Sequence, residues 1–135
     1  MLQGRVAIIA GAASARGIGK ATAKAFAGQG AHIAILDLDA AQAAAAASDI
    51  GEGHLGLACD VTRKDDCNHA AAAVMERFGR IDILVNNAGI TQPVRLMEIT
   101  PEGYQAVTDV SVRGTLYMRH RQSYLTCAAA TKAAR

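Results

Sequence analysis

Apolar residues along this chain fall into two alternating rhythms. Short apolar runs at residues 5–10, 31–36, 54–59 and 81–85 predict strands buried on both faces, the third weakened by neighbouring glycines. Between them lie stretches with helical spacing. Residues 17–29 put Ile18, Ala21, Ala25 and Phe26 on one side, turn Lys20 and Lys24 away, and end between Gly28 and Gly30. Residues 40–47 are alanine except for Gln42, a run of high helix propensity with Asp39 at the N-cap position. Thr62 is placed to cap a helix over 63–78, with Ala70, Ala71, Val74 and Phe78 inward and Gly79 at its end. Thr100-Pro101-Glu102 opens a last helix with a cap hydroxyl, proline at the first helical position and an acid in the first turn. That helix is expected to continue, unbroken, to somewhere within 117–125.

Strand–helix alternation at this pitch requires right-handed crossovers and a parallel sheet covered on both faces. The expected fold class is therefore α/β, a Rossmann-like doubly wound parallel sheet. Only its N-terminal half is expected, about four strands with flanking helices. A chain of 135 residues suits one core, and no linker, repeat or second domain interrupts it.

Composition narrows the function classes. The formal charge is +2, and no aromatic interleaving accompanies the basic residues, which argues against nucleic acid. No run approaches the ~18 apolar residues of a membrane span. Val6–Ala13 behind Arg5 loosely imitates an export signal but fits a strand and turn better. Cys59, Cys67 and Cys127 have neither metal nor C-x-x-C spacing, as expected of reduced thiols in a cytoplasmic protein. No metal site is expected. All the acids lie at or before Asp109, whereas Arg113, Arg119, Arg121, Lys132 and Arg135 follow it, most simply as a solvated helix face and frayed end.

Candidate chemistry begins at Gly11-Ala-Ala-Ser-Ala-Arg-Gly17-Ile-Gly19, between the first strand and the first helix. Glycine lets the backbone turn sharply and approach a pyrophosphate, while the helix start offers free N–H groups. Gly11, Ser14, Arg16, Gly17, Ile18 and Gly19 are the candidate contacts. Asp37, with Leu38 beside it, ends the second strand, where a carboxylate accepts ribose hydroxyls and repels a 2′-phosphate. This favours NAD. The Arg16 guanidinium pulls toward NADP, with less weight.

With these residues, Asp60-Val61 and Asn86-Asn87-Ala88-Gly89 placed, the chain resembles the short-chain dehydrogenase/reductase family over about residues 3–118. The Asn-Asn-Ala-Gly motif is the most specific part of the likeness. The resemblance implies adenine contacts from Asp60 and Val61. It also implies a ribose wall from Asn87, Ala88 and Gly89, and hydride transfer between a nicotinamide and an alcohol or ketone. Likeness to 3-oxoacyl-carrier-protein reductases and to sugar or polyol dehydrogenases is the nearest. An interface role for the last helix is implied as well, with a second copy or a full-length relative as partner.

Three departures stand out. Gly11 and Gly17 are further apart than in the usual Gly-x-x-x-Gly-x-Gly turn. Ser111 takes the position of the family's tetrad asparagine. The catalytic Ser and Tyr-x-x-x-Lys set is absent from the chain, and Tyr117, followed four positions later by Arg121, is no substitute. From about Arg119 the likeness fades, as a frameshift or premature end would produce. The expected organisation is thus an NAD(P)-binding half-domain over 1–118 and an atypical basic tail over 119–135. The expected protein is an oxidoreductase by ancestry that is inactive as this chain, or else a non-catalytic nucleotide-binding or oligomer-modulating fragment.

Overall fold

The computed structural model describes residues 1–119. Four parallel strands, β1 (Val6–Ala10), β2 (His32–Asp37), β3 (Leu55–Ala58) and β4 (Ile83–Asn86), lie in the order β3-β2-β1-β4. Val6 sits opposite His32 on one side of β1, and Ala7 opposite Ile83 on the other. The chain therefore builds outward from β1 to β3, then crosses back to set β4 on the opposite flank. That reversal places a topological switch between β1 and β4, the Rossmann-like arrangement expected from the sequence.

The period-two alternation of each strand divides the core. Val6, Ile8, Ala10, Ala34 and Leu36 face α3 (Lys64–Phe78), which supplies Cys67, Ala70, Ala71 and Val74. Ala7, Ile9, Ile33 and Ile35 face α1 (Ile18–Gly28) and α2 (Ala40–Ser48), which supply Ala23 and Ala43, Ala46, Ala47. Because both faces are covered, the strands read as unbroken apolar runs. In β3 the glycine that weakened the strand pattern has a use. A Cβ on Gly56 would lie 2.2 Å from the Ala43 carbonyl oxygen, so α2 can settle on β3 only if this residue is glycine.

Three local expectations need correction. The apolar side assigned to α1 is mostly the wet one. Ile18 is 80 % exposed and Ala21 and Ala25 are exposed, while Gly19, Ala23 and Lys20 are buried and Phe26 is half-buried. A Cβ on Gly19 would meet the Asn87 amide and Ala12, and the buried Lys20 is accommodated by an ion pair to Asp49 at 2.6 Å. Thr62 does not cap α3. Its N–H and hydroxyl both bond the Asp60 carboxylate (2.9 and 2.7 Å), and the N-cap is Arg63, without a side-chain bond.

The last helix is not regular. Thr100 caps α4 (Pro101–Thr108) as expected, accepting from the Gly103 N–H at 3.1 Å, but Asp109–Gly114 widens into a π-helical stretch. Gly114 is buried there against Val61, whose Cγ2 a Cβ would approach to 2.7 Å. Arg113 pairs with Asp109 across this stretch at 2.9 Å. The far end of the helix, Cys127 and residues 120–135 of the expected tail lie outside the described residues. Among the described residues no helix is long and apolar enough to cross a membrane.

A charge cluster ties the start of β1 to the approach to β4. Asp82 accepts from the Val6 N–H at 2.9 Å, from Arg5 at 2.9 Å and from Arg80. Burial pushes its carboxyl up, but the bonds from Arg80, the Val6 N–H and Arg5 prevail and hold it at about 2. An ordinary aspartate titrates near ~3.9, so the stability from this group is complete above that value and lost as pH falls through about 4 to 2. Asp82→Asn is expected to cost about 1–2 kcal/mol at neutral pH. It should also flatten the acid limb of stability between those values, measured by urea unfolding across pH.

Candidate functional site

The C-terminal ends of all four strands open into one cavity of about 550 Å³. It is lined by Gly11 after β1, Asp37 and Leu38 at β2, and Asp60 and Val61 after β3. Asn87, Ala88 and Gly89 after β4 complete the side next to the switch point. Eight predicted site residues thus meet in one place. Ser14, Arg16, Gly17, Ile18 and Gly19 lie beside it, in the turn and the start of α1, and Ser14, Arg16 and Ile18 are exposed. Ser111 is also exposed, on the π-helical stretch, and does not line the cavity. Sequence reasoning missed Cys59, Thr62, Ile90 and Val110 as lining residues. Each neighbours a motif residue, and that adjacency was the only signal they carried.

The walls are held by hydrogen bonds between side chains and backbone. Asn87 donates through its side-chain amide to the carbonyls of Ala10 (3.2 Å) and Gly11 (2.8 Å), joining the segment after β4 to the turn after β1. Asp37 accepts from the Ala13 N–H through one oxygen and from the Leu38 N–H through the other, both at 2.9 Å. Asp37 therefore orders the glycine turn. Capping of α2 falls to Asp39, which accepts from the Gln42 N–H. Asp60 closes the next turn through Thr62, and its own N–H donates to Asp66 at 3.2 Å.

The glycines follow from these contacts. Gly11 has φ +70°, and a Cβ on it would fall 2.7 Å from the Ala88 Cα. A Cβ on Gly19 would fall 2.5 Å from the Asn87 amide nitrogen and 3.0 Å from the Ala12 Cα. Both are required by the close approach of segments of this chain to one another, before any ligand is considered.

The arrangement fits a dinucleotide. The first turn of α1 has N–H groups with no helical acceptor, carrying the positive end of the helix dipole. Each Asp37 oxygen has accepted one bond and retains a second lone pair, enough for two ribose hydroxyls. Among the described residues no group of His, Cys, Asp and Glu could hold a metal ion.

A family model described as enoyl-(acyl carrier protein) reductase matches residues 11–131. The chain belongs to the short-chain dehydrogenase/reductase family. A short-chain dehydrogenase/reductase of Sinorhizobium fredii is 47% identical over 86% of this chain and 47% of its own length. Sorbitol dehydrogenase of Cereibacter sphaeroides is 42% identical over 87% of this chain and 45% of its own length. In three dimensions, the 3-ketoacyl-(acyl-carrier-protein) reductase of Brucella melitensis, solved with NADH, superposes with TM-score 0.84 at 40% identity. That superposition covers 90% of this chain and 49% of the neighbour. The chain spans about half the length of the curated short-chain dehydrogenase/reductase relatives it matches.

Gly11→Ala combines a positive φ with a backbone clash, and is expected to destabilise the fold by about 2–3 kcal/mol. Gly28→Ala, where the same atom would meet nothing within 4 Å, should be neutral or stabilising. Paired urea titrations of the two variants check this.

Proposed function

We propose that residues 1–118 form the dinucleotide-binding part of a short-chain dehydrogenase/reductase, with NAD as the favoured cofactor. The observation that carries this is the convergence of Gly11, Asp37, Asp60, Asn87, Ala88 and Gly89 on a single cavity at the switch point. The start of α1, with Ser14, Arg16, Gly17, Ile18 and Gly19, holds the pyrophosphate through backbone N–H groups. Asp37 takes the adenosine ribose hydroxyls and disfavours a 2′-phosphate. Asp60 and Val61 flank the adenine, and Asn87, Ala88 and Gly89 form the ribose wall. When bound, the cofactor supplies or accepts a hydride at an alcohol or ketone carbon. NADH bound to the Brucella reductase supports the choice of ligand class.

Asp37→Ala should narrow the NAD-over-NADP preference by about 1–2 kcal/mol, one charge-assisted site. Calorimetric titration of the full chain and the variant with both dinucleotides reads this directly. Tighter NADP than NAD binding by the unmutated chain would overturn it in favour of Arg16.

Chemistry is a separate matter. A ketone oxygen gaining charge as hydride arrives needs a positioned acid, worth about 10²–10⁴-fold. The tyrosine and lysine that do this in the family have no counterpart in these 135 residues, and Ser111 is exposed outside the cavity. The chain by itself is therefore expected not to consume NADH with a panel of ketones at the rate of a chain extended through Tyr-x-x-x-Lys. Equal turnover would refute this and return Tyr117 to consideration. A second reading, a nucleotide-binding fragment that associates with a second copy or a full-length relative, is favoured by one observation. Tyr104, Val112 and Leu116 expose apolar surface along the last helix.

A further inference from the structure

The sheet has a second seam, at the end away from the cofactor cavity, that no motif marked. β2 pairs with β3 from Ala34 opposite Leu55 onward. One residue before that pairing, the His32 N–H and the Ile33 N–H part company. His32 donates to the Arg5 carbonyl, on the β1 side, whereas Ile33, fully buried, donates to the Nδ1 of His54 at 3.1 Å. An imidazole thus stands where a backbone carbonyl would open the β2–β3 ladder.

Acceptance fixes the protonation state of that ring. An imidazole nitrogen accepts only when it carries no hydrogen, so His54 is neutral here with its proton on Nε2. Nε2 lies toward Gly51, 4.0 Å from the place of a Cβ on that glycine. The ring borders an open cavity of about 480 Å³ between the end of α2 and the start of β3. The imidazolium carries a hydrogen on both nitrogens. Its Nδ1–H would meet the Ile33 N–H donor to donor, and a buried N–H would be left without a partner.

The groups that could bias this proton come from several elements. β2 brings His32, whose ring stacks on Phe78 of α3 at 5.3 Å, with the Arg77 guanidinium also over Phe78. Glu52 lines the same cavity as His54, and α2 contributes Ala44, Ala47 and Ser48 to it, none of them charged. Asp49, at the end of α2, is paired with Lys20. Burial first, and then the nearness of His32, pushes His54 below the ordinary histidine range.

We propose that His54 is a pH-operated latch on the β3 edge of the sheet: neutral, it clasps the Ile33 N–H and holds the α2–β3 turn against β2; protonated, it releases residues 49–54. β3 is the outermost strand on its side, so among the described strands none beyond it holds the turn in place. The release stops at Gly56, where α2 rests on the strand through Ala43. A histidine titrates near ~6.5 in the unfolded chain, so the latch contributes its full stability above that value. Below it the unfolded chain takes up a proton that the folded chain refuses, and the contribution falls until His54 itself protonates. That window lies above the one set by Asp82, whose carboxyl is held at about 2. The latch does not depend on the reading of the cofactor cavity, which lies at the opposite ends of the strands.

The test is nuclear magnetic resonance on the full chain, isotope-labelled and titrated from about pH 8 to about pH 5, across the ordinary histidine midpoint. The ring nitrogens of His54 report its tautomer and midpoint, and hydrogen exchange reports protection of the Ile33 and Ile8 amides. The expected result is an Nε2–H tautomer at the alkaline end and a midpoint below that of His69. Protection of Ile33, corrected for intrinsic exchange, should fall by roughly tenfold as His54 protonates, the loss of one buried bond, while Ile8 in the centre of the sheet holds. His54→Asn places an amide oxygen where Nδ1 stood and cannot titrate, so Ile33 should stay protected across the range. Should that variant not fold, the ring titration of the unmutated chain decides alone. An Nδ1–H tautomer at the alkaline end, or a midpoint at or above that of His69, overturns the latch. So does equal loss of protection at Ile33 and Ile8, or the same pH dependence at Ile33 in folded His54→Asn.

Discussion

The bonds from the Asn87 amide to the carbonyls of Ala10 and Gly11 are the joint on which the architecture turns. They fasten the segment after β4 to the turn after β1, at the point where the sheet reverses its direction of growth. A parallel sheet gains nothing from local pairing, since each neighbouring strand arrives after a long crossover. A polar side chain that reaches across the switch point therefore secures what the ladder alone leaves open. The cost is steric. Gly11 and Gly19 must be glycine because Ala88 and Asn87 occupy the space a Cβ would need.

The same joint explains the shape of the cavity. Asn87 holds one wall, Asp37 fastens the glycine turn through the Ala13 N–H, and Asp60 folds the third wall upon itself through Thr62. Each carboxylate and amide orients backbone first and faces the cavity second. Groups already anchored this way lose little freedom when a ligand arrives, the preorganisation on which such binding depends. Asp37 illustrates the economy: two of its lone pairs shape the turn, and two remain.

Alanine and glycine in place of larger core residues let the layers sit close. Gly56 beneath Ala43, Gly114 against Val61, and Gly19 with Ala23 on α1 are all contacts where backbone approaches side chain or backbone. Such interfaces bury little hydrocarbon per residue, so polar ties bear more of the organisation. Lys20 with Asp49 and the Asp82 cluster join elements far apart in the chain.

Much was determined by the sequence itself. The four strands, the helices between them, the Asp39 and Thr100 caps and the Asn-Asn-Ala-Gly segment were legible because each rests on local chemistry: apolar runs, cap hydroxyls and carboxylates, and one specific motif. Eight of the candidate site residues follow from the same motifs, since parallel strands deliver their C-terminal ends to one edge. What only tertiary structure decided is where size and burial part company. Periodicity assigns the inward face of a helix by its larger apolar residues, whereas α1 buries Gly19, Ala23 and the Lys20 paired with Asp49 and leaves Ile18 exposed. Thr62 stood at a cap position, yet its hydroxyl found a better acceptor in Asp60. The widened turn at Asp109–Gly114 depends on how closely the last helix approaches Val61 through Gly114. No spacing along the chain encodes that distance.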